Sequence, residues 1–225
     1  MADFKTHASF GIALGILGVI GTVTAAIADG PGILVALFAA ATLGSVLPDI
    51  DSDSGVPFHV TFGSLSLVSG ALVFLSFSKD PSIGWQGAAL RALGVTAFVW
   101  IVVGAIFRRF TRHRGMAHSI PGALLSGLAT FFLASRYSFG DADAFLLGTA
   151  ITAGYLVHLI LDELWAAVNF HGKPFHPNAA LGSALKLFSD SMPVNVAVYG
   201  AILFLLAGNV TRFVSLATSL WGSVR

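Results

Sequence analysis

Histidine and aspartate recur in four short clusters. They are His7; the run Leu47-Pro48-Asp49-Ile50-Asp51-Ser52-Asp53; the run His113-Arg114-Gly115-Met116-Ala117-His118-Ser119; and His158 with Asp162. Each cluster falls at the end of an apolar segment in a chain otherwise almost free of charge. Imidazole and carboxylate together are the donor set of a divalent metal site. Ionisable side chains at membrane depth are costly, so several together mark a functional site by default. The chain has no cysteine, and any ion would be held by nitrogen and oxygen alone.

Spacing sharpens some clusters more than others. His158 and Asp162 stand four apart in a predicted helix, so their side chains share one face. They can offer two ligands to one ion, or bond to each other as packing glue. Pro48 ends the helix before it and turns the chain, which lets Asp49, Asp51 and Asp53 face a common centre; a solvated capping loop is the plainer alternative. The same run resembles the start of a calcium loop, but Ser54 stands where glycine is required and Val60 where glutamate is. His113 and His118 lie among arginines, where a headgroup-binding turn is the simpler reading. His7 opens a helix as an interface residue or a ligand. His59, His171 and His176 are placed in loops.

These residues must be positioned by helices in a membrane. Hydrophobic residues make up 56% of the 225 and charged residues 10%, against roughly 25% charged in a soluble domain. A span needs about 20 apolar residues. Candidate spans are 8–28, 32–47, 61–78, 88–107, 118–136, 144–164 and 193–209, giving an all-α, polytopic helical membrane protein with about six to seven transmembrane helices. The first is read as a retained span, since no small-x-small cleavage site follows it. Gly11, Gly15, Gly18 and Gly21 give it a small-residue stripe suited to close packing. The chain is treated as one helical membrane domain, 1–225, with the clusters within 7–165. Residues 166–192 form an interfacial loop and a candidate lid, and 193–225 the last span and tail.

Lys5, Arg108, Arg109, Arg112, Arg114, Lys173 and Lys186 fall in alternate connections, which places these connections and the N-terminus on the cytoplasmic side. All four clusters then reach that one boundary. No basic tract needs nucleic acid to explain it.

The set Thr6-His7, Leu47-Pro48-Asp49-Ile50-Asp51, His113-Arg114-Gly115-x-x-His118-Ser119 and His158-x-x-x-Asp162 resembles the YdjM-type family of bacterial inner-membrane proteins, predicted to be metal-dependent hydrolases. The resemblance runs from His7 to about Trp165. Its third motif usually carries threonine before the second histidine, where this chain has Ala117. Membership implies a multi-span helical protein with a metal site in the inner membrane, and no particular substrate. A His-x-x-x-Asp pair with further His and Asp donors is also similar to zinc-dependent phospholipase C and related single-strand nucleases, a motif-level analogy for phosphoester chemistry.

The expected metal ligands are His7, Asp49, His118, His158 and Asp162. Zinc suits them best, with manganese or iron as alternatives, in one or two ions. Asp51 is the expected general base, ahead of Glu163, which is turned about 100° from Asp162 around the helix. His113 is placed to protonate a leaving group or to serve as another ligand. Arg114, with Arg112, can hold a phosphate in its guanidinium fork. The site depth favours a membrane-lipid or lipid-linked phosphoester as substrate. A metal-ion or small-solute transporter is the alternative, but transport calls for ionisable groups at several depths, and the middles of these spans are apolar.

Overall fold

A computed structural model of the protein describes residues 2–51, 56–78, 80–105, 115–116, 118–137, 139–168 and 181–223. All regular structure among them is helical. Seven helices follow in order: α1 (Phe4–Thr24), α2 (Pro31–Gly44), α3 (Val56–Phe77), α4 (Gly84–Ala97), α5 (Ile120–Tyr137), α6 (Asp141–Val168) and α7 (Met192–Ser223). A 3-10 turn, Leu47–Asp51, follows α2, and α4 continues as a π-helical stretch, Phe98–Val103. Among the described residues four stretches are long and apolar enough to cross a membrane: Phe4–Thr24, Gly84–Val103, Asp141–Val168 and Met192–Leu216. Helices Pro31–Gly44 and Ile120–Arg136 are apolar but shorter. Two compact units result, one of residues 1–48 with 114–225, the other of 49–113.

In the first unit α6 is the central helix. Its apolar window is 56% buried, against 22% or less in the other three. Residues 147, 151, 154, 155, 158, 159, 162 and 166 form its buried stripe at intervals of one, three and four, which is helical periodicity on one face. Glycines let neighbouring backbones approach this stripe. A Cβ on Gly154 would collide with the Ala41 carbonyl oxygen, and one on Gly44 with the Ile151 carbonyl oxygen. Gly127 and Gly148 do the same between α5 and α6, each against the other's carbonyl. Gly11 and Gly15 face Ser45 and Phe38, so the small-residue stripe of α1 packs on α2 as expected, but Gly21 has nothing near it. The core between α2 and α6 is Ile33, Leu37, Ala40, Ala41, Leu147, Ala150 and Ile151.

Local signals set the helix ends. Asp3 caps α1 by accepting from the Thr6 amide at 2.8 Å, and Pro31 occupies the first turn of α2, where its missing N–H costs nothing. Ser119 caps α5, its hydroxyl accepting from the Gly122 amide at 3.1 Å. Helix α6 runs beyond the predicted 144–164 and includes Trp165, so the connection after it begins later than expected. The tail beyond residue 209 continues α7 as one helix to Ser223. Arg212 on that helix bonds Ser135 and lies 3.3 Å from Asp141.

The second unit pairs α3 with α4. Gly70 admits Thr96, and Phe58 stacks on Phe62 at 4.6 Å. Trp100, in the π-helical stretch, lies 5.5 Å from the His59 ring. His59 therefore stands in the first turn of α3 rather than in a loop. In the connection between these helices, the Ser82 hydroxyl and amide bond the Asp80 carboxylate and hold its pKa below the usual range.

Candidate metal centre

Three expected ligands meet in the first unit. His7 lies in the first turns of α1, its amide bonded to the Asp3 carbonyl at 3.1 Å. The cap at Asp3 thus fixes where the His7 ring leaves the helix. His158 and Asp162 lie one turn apart on the buried stripe of α6. The His7 Nε2 stands 3.3 Å from Asp162 Oδ1, and the His158 Nε2 stands 3.7 Å from Asp162 Oδ2. The two imidazoles stack with centroids 3.7 Å apart and planes 15° from parallel. One donor atom from each residue lies within 4.8 Å of the others. Both histidines are fully buried and Asp162 is 4% exposed.

The backbone around the cluster orients it. His158 Nδ1 lies 2.8 Å from the carbonyl oxygen of Ser45, at the C-terminus of α2. A carbonyl only accepts, so Nδ1 carries the proton, and Nε2, on the side of Asp162, is the atom left to ligate an ion. This is the outer-shell bond that fixes the tautomer of ligating histidines. The close α2–α6 approach at Gly44 and Gly154 brings that carbonyl within reach. The Ala2 amide donates to Asp162 Oδ1 at 3.1 Å and ties the start of α1 to α6.

The donor set fits a divalent ion. Hydrogen bonds between nitrogen and oxygen run about 2.7–3.2 Å, shorter than both His–Asp separations here. Two donors each about 2.1 Å from a tetrahedral ion stand about 3.4 Å apart, which the 3.3 and 3.7 Å spacings bracket. Among the described residues neither ring nitrogen of His7 has a hydrogen-bond partner, although both are buried. Uncompensated burial of this kind costs free energy, and an ion at the shared position would offset it.

His118 joins the same neighbourhood. It lies just before the Ser119 cap, 1% exposed, with its ring edge-on to His158 at 5.5 Å. Asp49 is 8% exposed, in the 3-10 turn after Pro48. Asp51 closes that turn; its side chain, and all of Asp53, His113, Arg112 and Arg114, lie outside the described residues, as do His171 and His176. Glu163 faces away from the cluster. Its carboxylate accepts from the amides of Gly182 and Ala184, both at 2.7 Å, and of Leu185 at 3.3 Å.

Two parts of the site had no sequence signal. The Ser45 carbonyl is a backbone group that any residue type would supply. The Glu163 bonds join positions about twenty apart across a connection without periodicity. The polar pair at the opposite end of α6, Asp141 with Arg212, stands twenty-one positions from Asp162, about 32 Å along the helix. That is close to the thickness of a hydrocarbon core, about 30 Å, so the two polar ends of α6 fit opposite boundaries of a bilayer.

No curated protein and no solved structure matches the chain. The family model described as YdjM inner membrane protein matches residues 1–221, nearly the whole chain, and the protein therefore belongs to that family.

Proposed function

We propose that the protein is a membrane-embedded, metal-dependent hydrolase of a phosphoester, with a phospholipid or lipid-linked phosphate as substrate at the cytoplasmic face of the inner membrane. The observation that carries the reading is the buried His7–His158–Asp162 group, whose separations exceed hydrogen bonds and suit ligands of one ion. His7, His158 and Asp162 are the proposed core ligands, and the sequence motifs add Asp49 and His118. Five donors exceed the three that a catalytic zinc takes, which leaves room for one ion or two.

A bound divalent ion would supply Lewis acidity toward a phosphoryl oxygen and a lowered pKa for water. The chain's own residues would do the rest. Ser45 holds His158 in the ligating tautomer, and Ala2 holds the Asp162 carboxylate. From the motifs, Asp51 is proposed to take the proton from the attacking water and His113 to return one to the leaving group. Arg114, with Arg112, would hold the phosphate oxygens in a fork. Depth supports a lipid substrate. The cluster sits near one polar end of α6, where headgroups arrive by lateral diffusion. Between residues 144 and 157 α6 carries no charged side chain, which gives the transport alternative no path to use.

The test is elemental analysis of the detergent-purified protein beside His158→Ala of matched helicity. About one or two equivalents of zinc, manganese or iron are expected in the parent and none in the variant. Hydrolysis of phospholipid micelles, read as released headgroup, should then require both the metal and His158. A parent that neither carries nor takes up a divalent ion would sink the mechanism.

A further inference from the structure

The segment 181–187 is bonded at both ends to elements that carry the cluster. At one end the Glu163 carboxylate gathers three of its amides, those of Gly182, Ala184 and Leu185. Gly182 adopts φ of 81°, a left-handed turn that suits glycine and brings those amides round one carboxylate. At the other end the Lys186 carbonyl accepts from the Ile120 amide at 3.1 Å. Ile120 is the first residue of α5, two positions after His118. The Leu187 carbonyl accepts from the Tyr199 hydroxyl at 2.9 Å, which ties the segment to α7 as well. Between these bonds Ala184 is 3% exposed and packs with Ala123, Tyr155 and Leu159. Leu159 follows His158 directly. The segment is therefore a strap from the turn of α6 beside Asp162 to the start of α5 beside His118.

We propose that Glu163 is a positioning residue: by latching this strap it seals the cluster and holds His118 against His158. The proposal gives a task to a carboxylate next to Asp162 that its three amide bonds turn toward the strap. It rests on the metal-centre reading for its functional meaning, but the strap can be tested without metal.

The experiment uses the full chain in detergent, as the parent, Glu163→Gln, Gly182→Ala and the far-end control Asp141→Asn. Gln offers one acceptor oxygen and turns a donor toward amides that also donate. Gly182→Ala strains the left-handed turn without touching α6, and serves where the Glu163 variant yields no folded protein. In chelator, trypsin cleavage after Lys186 and diethylpyrocarbonate labelling of His118 are followed by mass spectrometry. Both should speed up in the two strap variants and stay at parental rates in Asp141→Asn. With zinc restored, the strap variants should bind it about tenfold more weakly, as outer-shell changes do. Parental labelling of His118 in both strap variants would overturn the proposal. So would parental zinc affinity once the strap has opened. A parent that takes up no zinc defeats the metal reading instead, and the labelling in chelator still decides the strap.

Discussion

The two ends of α6 solve the same problem differently. Near its start Asp141 meets Arg212, 3.3 Å away, with both side chains about one third exposed. Near its finish Asp162 meets two imidazoles and an amide in a space closed to solvent. The first arrangement is an ordinary ion pair at a wet boundary, screened and of small net worth. The second gathers dry groups whose two His–Asp spacings are too long for hydrogen bonds. A carboxylate on a membrane helix can thus be tolerated by a counter-charge or recruited to a donor cluster. Burial and distance distinguish the cases, where residue type does not.

The sharpest way to break this comparison is to neutralise each aspartate in turn. Asp162→Asn should lower zinc affinity by at least about 100-fold, beyond the range of outer-shell changes, while Asp141→Asn should leave it unchanged. Isothermal titration of the metal-stripped protein reads both. Equal losses would mean that neither carboxylate is a ligand and that the metal effect is one of global packing.

A second test separates the ends through their packing. Gly154 lies at the middle of α6, one turn before His158, and it faces the Ala41 carbonyl and the Ser45 amide, the latter 2.9 Å from where a Cβ would stand. Gly154→Ala should push α2 away and lengthen the His158–Ser45 bond. It should lower stability by about 1–3 kcal/mol, as overpacking does, and weaken metal binding with it. Gly200 on α7 has nothing near its Cβ position, so Gly200→Ala should leave both unchanged. Thermal unfolding in detergent with and without zinc checks the pair. A Gly154→Ala protein with reduced stability but parental zinc affinity would separate the tautomer bond from ligation.

Much of this was legible from the residues. The apolar segments gave the helices, and the interval of four in His158 and Asp162 gave their shared face. The sequence reading brought all four clusters to one boundary; of their residues, the structure places His7, His118, His158 and Asp162 together. What escaped it has physical causes. Helix α6 outlasts its expected end because Trp165, Ala166, Ala167 and Val168 hold no helix breaker. The tail of α7 persists to Ser223 for a similar reason, since helix formation needs no apolar window. The interlocking glycines Gly44, Gly127, Gly148 and Gly154 stand on different helices, and spacing within one helix cannot reveal such pairs. Of the stripe that spacing did reveal, Gly21 proved idle.

The smallest expected effect belongs to the exposed end. Breaking the pair there with Asp141→Asn should cost at most about 1 kcal/mol, because both partners keep access to solvent and Arg212 retains its bond to Ser135. The loss should shrink further in high salt, since screening weakens exposed pairs within about one Debye length. The cluster at the other end should not respond to salt in this way, being shielded from mobile ions by α1, α2 and α6. Denaturation midpoints of parent and variant at low and high salt, each with chelator present, measure that difference directly. A salt-independent loss well above 1 kcal/mol would make the Asp141–Arg212 pair part of the packed interior, and the contrast between the two ends of α6 would no longer be one of wet against dry.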